Sequence, residues 1–314
     1  MNGTSAQPEH VSVLATEAVT TLLTHPDGVY VDGTVGLGGH AALIAAHLSV
    51  RGRLIAIDRD ESALTSARQR LAGSDCRVDC FRENFKNLPL VLNRLGVSHI
   101  HGLLLDLGVS SFQLAEPQRG FSFQHEGPLD MRMDRQQKTT AADLVNSLPE
   151  TELADLLYRF GEERRSRTIA RAIVRQRARK RIQTTAELSA LVREILGHRP
   201  GKIHPATRTF QALRIAVNDE LGGLGDFIEN ILPSLVSGGR MVIISFHSLE
   251  DRIVKRAFAR LAGRCICHKP VELCECPRRE QVHLLTTRPI TPGPKEQAAN
   301  PRSRSAKMRA VEKR

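Results

Sequence analysis

Four short apolar runs in the first 106 residues, separated by helix-like segments, constrain the fold of this chain most strongly. They are Val29–Asp32, Leu54–Asp58, the weaker Val78–Phe81, and Gly102–Asp106. Apolar runs with helical segments between them are typical of βαβ units, in which parallel strands pair and helices cover both faces of the sheet. The sequence therefore predicts an α/β fold built on a parallel sheet.

The alternation of strands and helices stops after Asp106, and the next strand-like apolar run is Met241–Phe246. Between the two, apolar residues recur with a helical period. Two capping-box patterns predict helix starts there, Ser147 with Glu150 and Thr184 with Glu187. We therefore expect an all-helical insert to divide the sheet domain in sequence.

These patterns predict four segments. Residues 1–110 and 206–290 are expected to form the two parts of the sheet domain, and residues 111–205 a loop followed by a helical insert that recognises the substrate. Residues 291–314 are rich in Pro, Arg, Lys and Ser and poor in apolar residues. Such a composition is typical of mobile segments, so a basic, mobile tail is expected.

The net charge favours a polyanionic partner. The chain has 45 Lys+Arg against 34 Asp+Glu, a formal charge of +11, which suits nucleic acid. Arg159–Arg181 holds ten basic residues against two Glu, and Arg302–Arg314 holds six against one. A solvated surface charge without a partner is the alternative.

The sequence predicts a cytoplasmic protein without membrane contact. No apolar run approaches the roughly 18 residues needed to span a bilayer. Residues 1–10 are polar and lack the basic and apolar regions of a secretory signal.

Four of the six cysteines are close together, as Cys265-x-Cys267 and Cys274-x-Cys276, with His268 beside them. In a reducing compartment a metal site or reduced thiols are more plausible than a disulfide framework. The two C-x-C pairs are tighter than the usual C-x2-C pairs of zinc sites. We therefore assign no metal from the sequence, and a structural zinc remains an open alternative.

The segment Asp32–His40, DGTVGLGGH, is the strongest local signal. Glycines between a strand and a helix let the backbone approach a ligand, and the helix N-terminus offers unpaired N–H groups. Gly36, Gly38 and Ala41 also fit the dinucleotide fingerprint G-x-G-x-x-G/A, so an NAD-dependent oxidoreductase is an alternative. The carboxylate of Asp32 at the strand end suits a cationic cofactor such as S-adenosylmethionine better than a pyrophosphate.

Three acids, Asp32, Asp58 and Asp106, each end a predicted strand. Ligands of open α/β sheets bind outside the carboxyl ends of the strands, so we expect these acids to converge on one crevice. Asp58 is placed to accept hydrogen bonds from ribose hydroxyls. An ordinary helix N-cap is the alternative role for this residue.

Several longer blocks resemble a known family. They are Asp32–His40, Leu105–Ser111, Arg119–Phe123, Gly127–Asp134, His204–Leu221, Ser245–Arg252 and Asn300–Arg309. Their sequences are similar to those of the bacterial 16S rRNA cytosine-N4 methyltransferases, the RsmH (MraW) family. The sequence departs from the family pattern at Phe112, where a proline is usual, and at Glu126, where an aspartate is usual.

The resemblance implies a class I, Rossmann-like, S-adenosylmethionine-dependent methyltransferase sheet with an inserted helical domain. It also implies methylation of the exocyclic N4 of a cytidine in the decoding region of 16S rRNA, within the small ribosomal subunit. The implied cofactor contacts are Gly38, Gly39, His40, Asp58, Phe85, Asp106 and Gln113. A non-catalytic rRNA-binding assembly factor that retains the pocket is the further alternative.

Asp106 and His247 are the candidate catalytic residues. The cytosine amine is a poor nucleophile, so an enzyme must align it and accept hydrogen bonds from its N–H groups. We expect Asp106, or a backbone carbonyl just after it, to be the acceptor. His247, with Asp251 close in sequence, follows the fifth strand and could relay a proton. A loop-ordering hydrogen bond to Ser248 or Glu250 is the alternative role for His247.

Overall fold

The computed structural model describes residues 12–197, 204–267, 274 and 279–314. These residues fall into two compact units. The sheet unit comprises the described residues up to Gly108 and those from Leu221 onwards, and the helical unit comprises Val109–Glu220. The helical unit is thus inserted between two parts of the sheet unit.

The described residues form helices and strands along the whole sheet unit and the helical unit. In chain order they are α1 (Ala15–Leu22), β1 (Val29–Asp32), α2 (Gly39–His47), β2 (Arg53–Asp58), α3 (Glu61–Leu71), β3 (Arg77–Arg82), α4 (Leu88–Arg94), β4 (Ile100–Asp106), α5 (Ser111–Ala115), α6 (Ala141–Ser147), α7 (Glu150–Gly161), α8 (Ser166–Arg179), α9 (Thr185–Leu196), α10 (Thr207–Asn218), α11 (Leu224–Ile231), β5 (Leu235–Ser245), α12 (Ser248–Leu261), β6 (Val282–Leu284), α13 (Pro294–Ala299) and β7 (Lys307–Lys313). Each of the five predicted strands is present, with ends that differ by a few residues.

The sheet has seven strands in the order β3-β2-β1-β4-β5-β7-β6. Strands β1 to β5 pair in parallel, whereas β7 pairs antiparallel with both β5 and β6. This order, with an antiparallel seventh strand between the fifth and sixth, is that of class I methyltransferases. The predicted fold class, a Rossmann-like α/β sheet with a helical insert, is therefore confirmed.

Apolar residues cover both faces of the sheet. Successive residues of a strand point to opposite faces, so a strand buried on both sides needs consecutive apolar residues. Val31 and Leu103 belong to the cluster that contains residues of α4, α11 and α12. Tyr30 and Leu104, their neighbours in sequence, belong to the cluster that contains residues of α1, α2 and α3. This double burial explains why the strands read as continuous apolar runs.

The prediction of a mobile tail over residues 291–314 was wrong at its end. Lys307–Lys313 forms β7, which pairs with β5 over six residues from Arg240↔Glu312 to Ser245↔Lys307. Met308 and Ala310 are fully buried on one face of this strand. Arg309 interrupts its buried apolar residues, and charged residues flank them, so no continuous apolar run revealed the strand.

An ion pair accounts for the arginine in the middle of β7. Arg309 is buried, and its Nε donates to Asp251 of α12 at 2.6 Å. Lys307 donates to the same carboxylate at 3.3 Å. Burial raises the pKa of Asp251, but the hydrogen bond and positive charge of Arg309, together with Lys307, hold it below its ordinary value. The pair therefore fixes α12 to the last strand.

The helical unit has its own apolar core, built from residues of α6 to α10 and the segment before them. Phe210 and Leu213 of α10 belong to this core. The predicted boundary between residues 205 and 206 was therefore wrong, because α10 packs with the insert and the sheet unit resumes only at Leu221. Among the described residues, no helix is long and apolar enough to cross a membrane.

One of the two predicted helix caps has the expected geometry. Thr184 accepts from the Glu187 N–H and so caps α9, as predicted. The prediction that Ser147 and Glu150 form a capping box was wrong. Ser147 is the last residue of α6, and α7 begins without a side-chain cap. The cap of α6 is made by Thr140.

We expect Arg309→Ala to lower the free energy of unfolding by about 3 kcal/mol, because it leaves the half-enclosed Asp251 carboxylate without its main partner. Urea denaturation followed by circular dichroism measures this change. Arg304→Ala is the control, because Arg304 is exposed in the same segment, and its effect should stay within about 0.5 kcal/mol. Equal unfolding midpoints for the two variants would contradict a stabilising role of the pair.

Candidate active site

The glycines between β1 and α2 allow close packing of this loop at the carboxyl ends of the strands. Gly36 and Gly38 have φ values of 51° and 80°, in the left-handed region that favours glycine. Gly33 is required by space instead, since a Cβ there would lie 2.6 Å from Cδ2 of Leu105. The Gly33 N–H donates to the carbonyl of Leu104 at 2.9 Å. The loop is thus held directly against the end of β4.

Two more hydrogen bonds fix the loop to its neighbouring strands. Oγ1 of Thr34 accepts from the Asp106 N–H at 2.6 Å, and the Gly36 N–H donates to Oδ2 of Asp58 at 2.8 Å. The structure therefore brings together the ends of β1, β2 and β4, as the three strand-ending acids predict.

The carboxyl group of Asp32 is buried within the site. Only 1% of the residue is exposed, and burial raises the pKa of its carboxyl group to about 7. The Thr34 N–H, which donates at 3.2 Å, lowers this pKa, as does His40 when its ring is protonated. The charges of Asp106 and Asp58 raise it. A further positive charge nearby would stabilise the ionised form of Asp32.

Asp58 organises the turn after β2 and keeps capacity for a ligand. Its two oxygens accept from the N–H groups of Gly36 at 2.8 Å and Asp60 at 2.9 Å. Burial raises the pKa of Asp58, while these two N–H groups lower it. A carboxylate offers about four acceptor positions, so two further donors can be accepted. The helix N-cap role belongs to Asp60, which accepts from the Ser62 N–H.

Asp106 has a buried acceptor atom that the described residues leave without a hydrogen-bond partner. This atom is Oδ1, while Oδ2 lies 3.6 Å from Nδ1 of His40. Burial raises the pKa of Asp106 to about 8, and the negative charge of the buried Glu250 also raises it. An unsatisfied buried oxygen is costly, so a donor from a ligand would stabilise it.

His40 supports Asp106 from the protein side. Its Nε2 lies 2.9 Å from the carbonyl of Val13, so Nε2 carries the ring proton. Burial lowers the pKa of His40, which favours the neutral ring with a lone pair on Nδ1. The distance of 3.6 Å to Asp106 is too long for a hydrogen bond. His40 lies near Asp32 and Asp106, so the pKa of its ring depends on whether these carboxyl groups are ionised.

Gly38 and Gly39, two further predicted cofactor contacts, are also constrained by packing. A Cβ on Gly38 would lie 3.2 Å from Cα of Ala67, and one on Gly39 would overlap Oγ of Ser12. Both glycines lie at the start of α2, where backbone N–H groups lack helical partners. Their contact with a cofactor stays a prediction.

Phe85 packs in the core of the sheet unit. Its ring lies 5.1 Å from that of Phe227 in an edge-to-face arrangement, and 8% of the residue is exposed. Its contact with an adenine ring stays a prediction. Gln113 belongs to the helical unit, where its side-chain oxygen accepts from the Ser110 N–H at 3.1 Å and caps α5. Its role toward the cofactor is likewise a prediction.

His247 orders the turn between β5 and α12. Its Nδ1 accepts from the Glu250 N–H at 3.4 Å, and Glu250 in turn accepts from the Phe246 N–H at 2.9 Å. This is the capping arrangement that the sequence left as the alternative to a proton relay. Asp251 is bound by Arg309, so the structure gives it a partner other than His247.

Sequence reasoning missed Thr34 and the effect of Glu250 on Asp106. Thr34 fixes the loop to β4 through the backbone of Asp106, and Glu250 raises the pKa of that residue. Glu250 was predicted only as an alternative hydrogen-bond partner of His247, a contact that the structure contains. Its electrostatic effect on β4 depends on tertiary structure, which no local pattern encodes.

The carboxyl groups at the strand ends suit a cationic ligand. S-adenosylmethionine carries a sulfonium and an ammonium group and no phosphate. Carboxyl groups whose pKa is raised by burial, as for Asp32 and Asp106, are stabilised in their ionised form by a nearby cation. The same groups would repel a pyrophosphate. The acceptor Oδ1 of Asp106 is available to an N–H donor.

Residues 7–314 match the model of the MraW methylase family. The chain belongs to the MraW methylase family. Ribosomal RNA small subunit methyltransferase H of Geobacter sp. (strain M21) is 50% identical over 306 residues, which cover 97% of this chain and 98% of that one. The protein of the same name from Heliobacterium modesticaldum (strain ATCC 51547 / Ice1) is 47% identical over 307 residues, with the same coverage.

Among solved structures, a putative rRNA-methylase from Clostridium thermocellum aligns over 97% of this chain and 100% of its own, with 11% identity and a TM-score of 0.44. The family assignment therefore comes from the sequence relatives. This MraW-family protein is a methyltransferase that uses S-adenosylmethionine, as the resemblance predicted. The alternatives of an NAD-dependent oxidoreductase and of a non-catalytic assembly factor find no support in these relationships.

We expect kcat/KM for S-adenosylmethionine to rise with pH, by more than tenfold per unit below pH 7 and about tenfold per unit near pH 7 to 8, and to level off above about pH 9. The ionised carboxyl groups hold the cation, and the pKa of Asp106 is raised to about 8, so acid removes the competent form. The inflection in kcat should lie at lower pH, because a bound cation lowers this pKa. Initial rates from pH 6 to 10 measure both profiles.

Asp106→Asn should lose the inflection near pH 8, whereas Asp75→Asn, an exposed acid of the same unit, should keep it. A flat wild-type profile, or a rate that falls as the pH rises, would show that Asp106 does not titrate as described.

Proposed function

We propose that this protein transfers a methyl group from S-adenosylmethionine to the exocyclic N4 of a cytidine in the decoding region of 16S rRNA, in the small ribosomal subunit of the cytoplasm. The membership of the MraW family and the names of its relatives support the rRNA substrate. Within the chain, the proposal depends most on one observation, the buried acceptor Oδ1 of Asp106 beside the glycine loop.

The residues at the strand ends divide the binding of the cofactor between them. Asp58, with two acceptor positions remaining, is proposed to accept from the ribose hydroxyls. Asp32 and Asp106 provide negative charge for the cationic methionine part. The backbone at Gly38 and Gly39 and the ring of Phe85 are proposed to contact the rest of the cofactor.

Asp106 is proposed to act on the target amine. The cofactor supplies an electrophilic methyl group on a sulfonium. The lone pair of the cytosine amine is delocalised into the ring, and a carboxylate that accepts a hydrogen bond from the amine N–H favours its localisation on nitrogen. After methyl transfer the nitrogen bears an extra proton, which the same carboxylate can take up. Burial raises the pKa of Asp106, which makes it a better proton acceptor than an ordinary carboxylate.

His40 is proposed as a positioning residue in this reaction. Its Nδ1 lies 3.6 Å from Oδ2 of Asp106, so we propose that it acts through this carboxyl group. Its Nε2–H bond to the carbonyl of Val13 fixes the ring and leaves Nδ1 as an acceptor. A neutral imidazole next to a protonated carboxyl group keeps the charge of the pair low until the cation arrives. His247 is proposed to order the turn after β5.

We expect wild-type protein to transfer tritiated methyl groups to small ribosomal subunits from a strain without the endogenous enzyme, and nucleoside mapping to identify N4-methylcytidine. Asp106→Asn should lower the rate of transfer by about 10²- to 10⁴-fold, because it removes the proton acceptor. Asp75→Asn is the matched exposed control. Label in another nucleoside, or no loss of rate in Asp106→Asn, would contradict the proposed reaction or the role of this residue, respectively.

Helix α8 provides a basic surface for RNA. Its buried residues include Ile169, Ala170 and Ile173, so its arginines lie on the opposite, solvent-exposed side. The exposed arginines of α8 and its flanks are Arg164, Arg165, Arg167, Arg171, Arg175, Arg179 and Arg181. Contacts to phosphates supply most of the affinity for RNA without specifying its sequence. We propose that this surface positions the rRNA.

We expect the triple variant Arg167→Gln, Arg175→Gln and Arg179→Gln to bind small-subunit rRNA more weakly. The slope of log K against log salt concentration should fall in magnitude by about 2 to 3, since each lost phosphate contact removes about 0.7 to 0.9. Filter binding across a salt series measures the slope. Arg68→Gln, an exposed arginine of α3 paired with Glu61, is the control. An unchanged slope in the triple variant would exclude α8 as the docking surface.

A further inference from the structure

Three cysteine side chains meet in the connection between α12 and β6. Sγ of Cys265 lies 3.3 Å from Sγ of Cys267 and 3.4 Å from Sγ of Cys274. The third edge of the triangle, between Cys267 and Cys274, measures 3.5 Å. Cys274 is seven residues from Cys267 in sequence, yet the two sulfurs lie 3.5 Å apart.

The sulfur distances fit a shared metal ion and no disulfide. A disulfide bond is about 2.05 Å long, so no pair of the three is bonded. Thiolates that bind one tetrahedral Zn²⁺ at about 2.3 Å lie about 3.8 Å from each other. A triangle with edges of 3.3 to 3.5 Å still leaves a position about 2.3 Å from all three sulfurs, slightly further above their plane.

Burial of apolar surface does not account for this cluster. Cys265 is exposed, and Cys267 and Cys274 are only partly buried, whereas a cysteine that serves as a small apolar residue is usually inside the core. Among the described residues, no fourth histidine, cysteine or carboxylate joins the group. Cys276 and His268, which the sequence also places nearby, lie outside the described residues.

We propose that Cys265, Cys267 and Cys274 bind a structural Zn²⁺ ion. Soft thiolate ligands select zinc over magnesium or calcium. Three thiolates at this distance repel one another unless a divalent cation neutralises them. The short C-x-C spacing, which gave no zinc assignment from the sequence, presents no obstacle here because the third sulfur comes from a distant position.

The ion stabilises the edge of the sheet unit. Ala262 and Glu280 form an isolated antiparallel bridge, and the Gln281 N–H donates to the carbonyl of Leu261 at 2.8 Å, so both ends of the connection are anchored. A metal bound by three cysteines of this connection stabilises the folded state, because the site is formed only when the chain is folded. β6 begins directly after this connection, at Val282.

The ion takes no part in methyl transfer. The cysteines follow the C-terminal end of α12, whereas His247 caps its N-terminal end. A helix of 14 residues spans about 20 Å. The ion therefore lies far from the carboxyl ends of the strands, and its loss should act on stability before it acts on the chemical step.

The test is metal analysis of reduced protein purified without a histidine tag. Elemental mass spectrometry should find about one zinc per chain in the wild type and in Cys80→Ser, and less than about a fifth of that in Cys265→Ser and Cys274→Ser. Cys80 is a half-buried cysteine of β3 outside the cluster and so controls for non-specific thiol binding. Zinc at the same stoichiometry in all variants would overturn the assignment.

A second measurement needs no substitution. Wild-type protein stripped with a chelator and reloaded with Co²⁺ should show the intense thiolate-to-cobalt absorption in the near ultraviolet and the visible bands of a tetrahedral site. Its melting temperature should fall by several degrees on stripping and return with Zn²⁺. Absence of zinc together with absence of cobalt bands in the reduced protein, or a disulfide between these cysteines in its peptide map, would overturn the proposal.

Discussion

The burial of carboxyl groups at the ends of three neighbouring parallel strands is the constraint on which this site depends. Water would stabilise these charges, and its removal raises the pKa of Asp32 to about 7 and of Asp106 to about 8. Backbone N–H groups compensate part of this cost, most directly at Asp58. A cationic ligand can offset the rest of the cost of burying these charges. The buried acids therefore contribute affinity and selectivity for the methyl donor.

The site is built from segments of the sheet unit that lie before and after the helical insert. The glycine loop and β4 come from its first part, while β5 and α12, which carry Glu250, come after the helical insert. β7, near the C-terminus, pairs with β5 along six residues and fixes α12 through Arg309 and Asp251. An insert of 112 residues, Val109–Glu220, is accommodated because it leaves the sheet after β4 and returns before β5.

The sequence alone predicts the fold where strands are buried on both faces, because consecutive apolar residues ending in an acid are then obligatory. It also predicts the glycine loop, whose geometry excludes side chains. The sequence does not predict β7, because Arg309 in the middle of this strand is typical of a solvent-exposed segment. Its partner Asp251 is known only from the structure. The sequence prediction also fails for α10, whose apolar face fits a helical unit as well as a sheet. At the site, the strand-ending acids were predicted to meet, but the burial of Asp32 and the partnerless Oδ1 of Asp106 depend on tertiary packing.

Isothermal titration calorimetry with S-adenosylmethionine, in two buffers of different ionisation enthalpy at pH 7, tests the central claim most directly. If a cation enters a site of buried, partly protonated carboxyl groups, binding must release protons, so the apparent enthalpy should depend on the buffer in that sense. NAD should give no binding heat. Absence of heat with S-adenosylmethionine, or binding accompanied by proton uptake, would contradict the view that these acids hold the methyl donor.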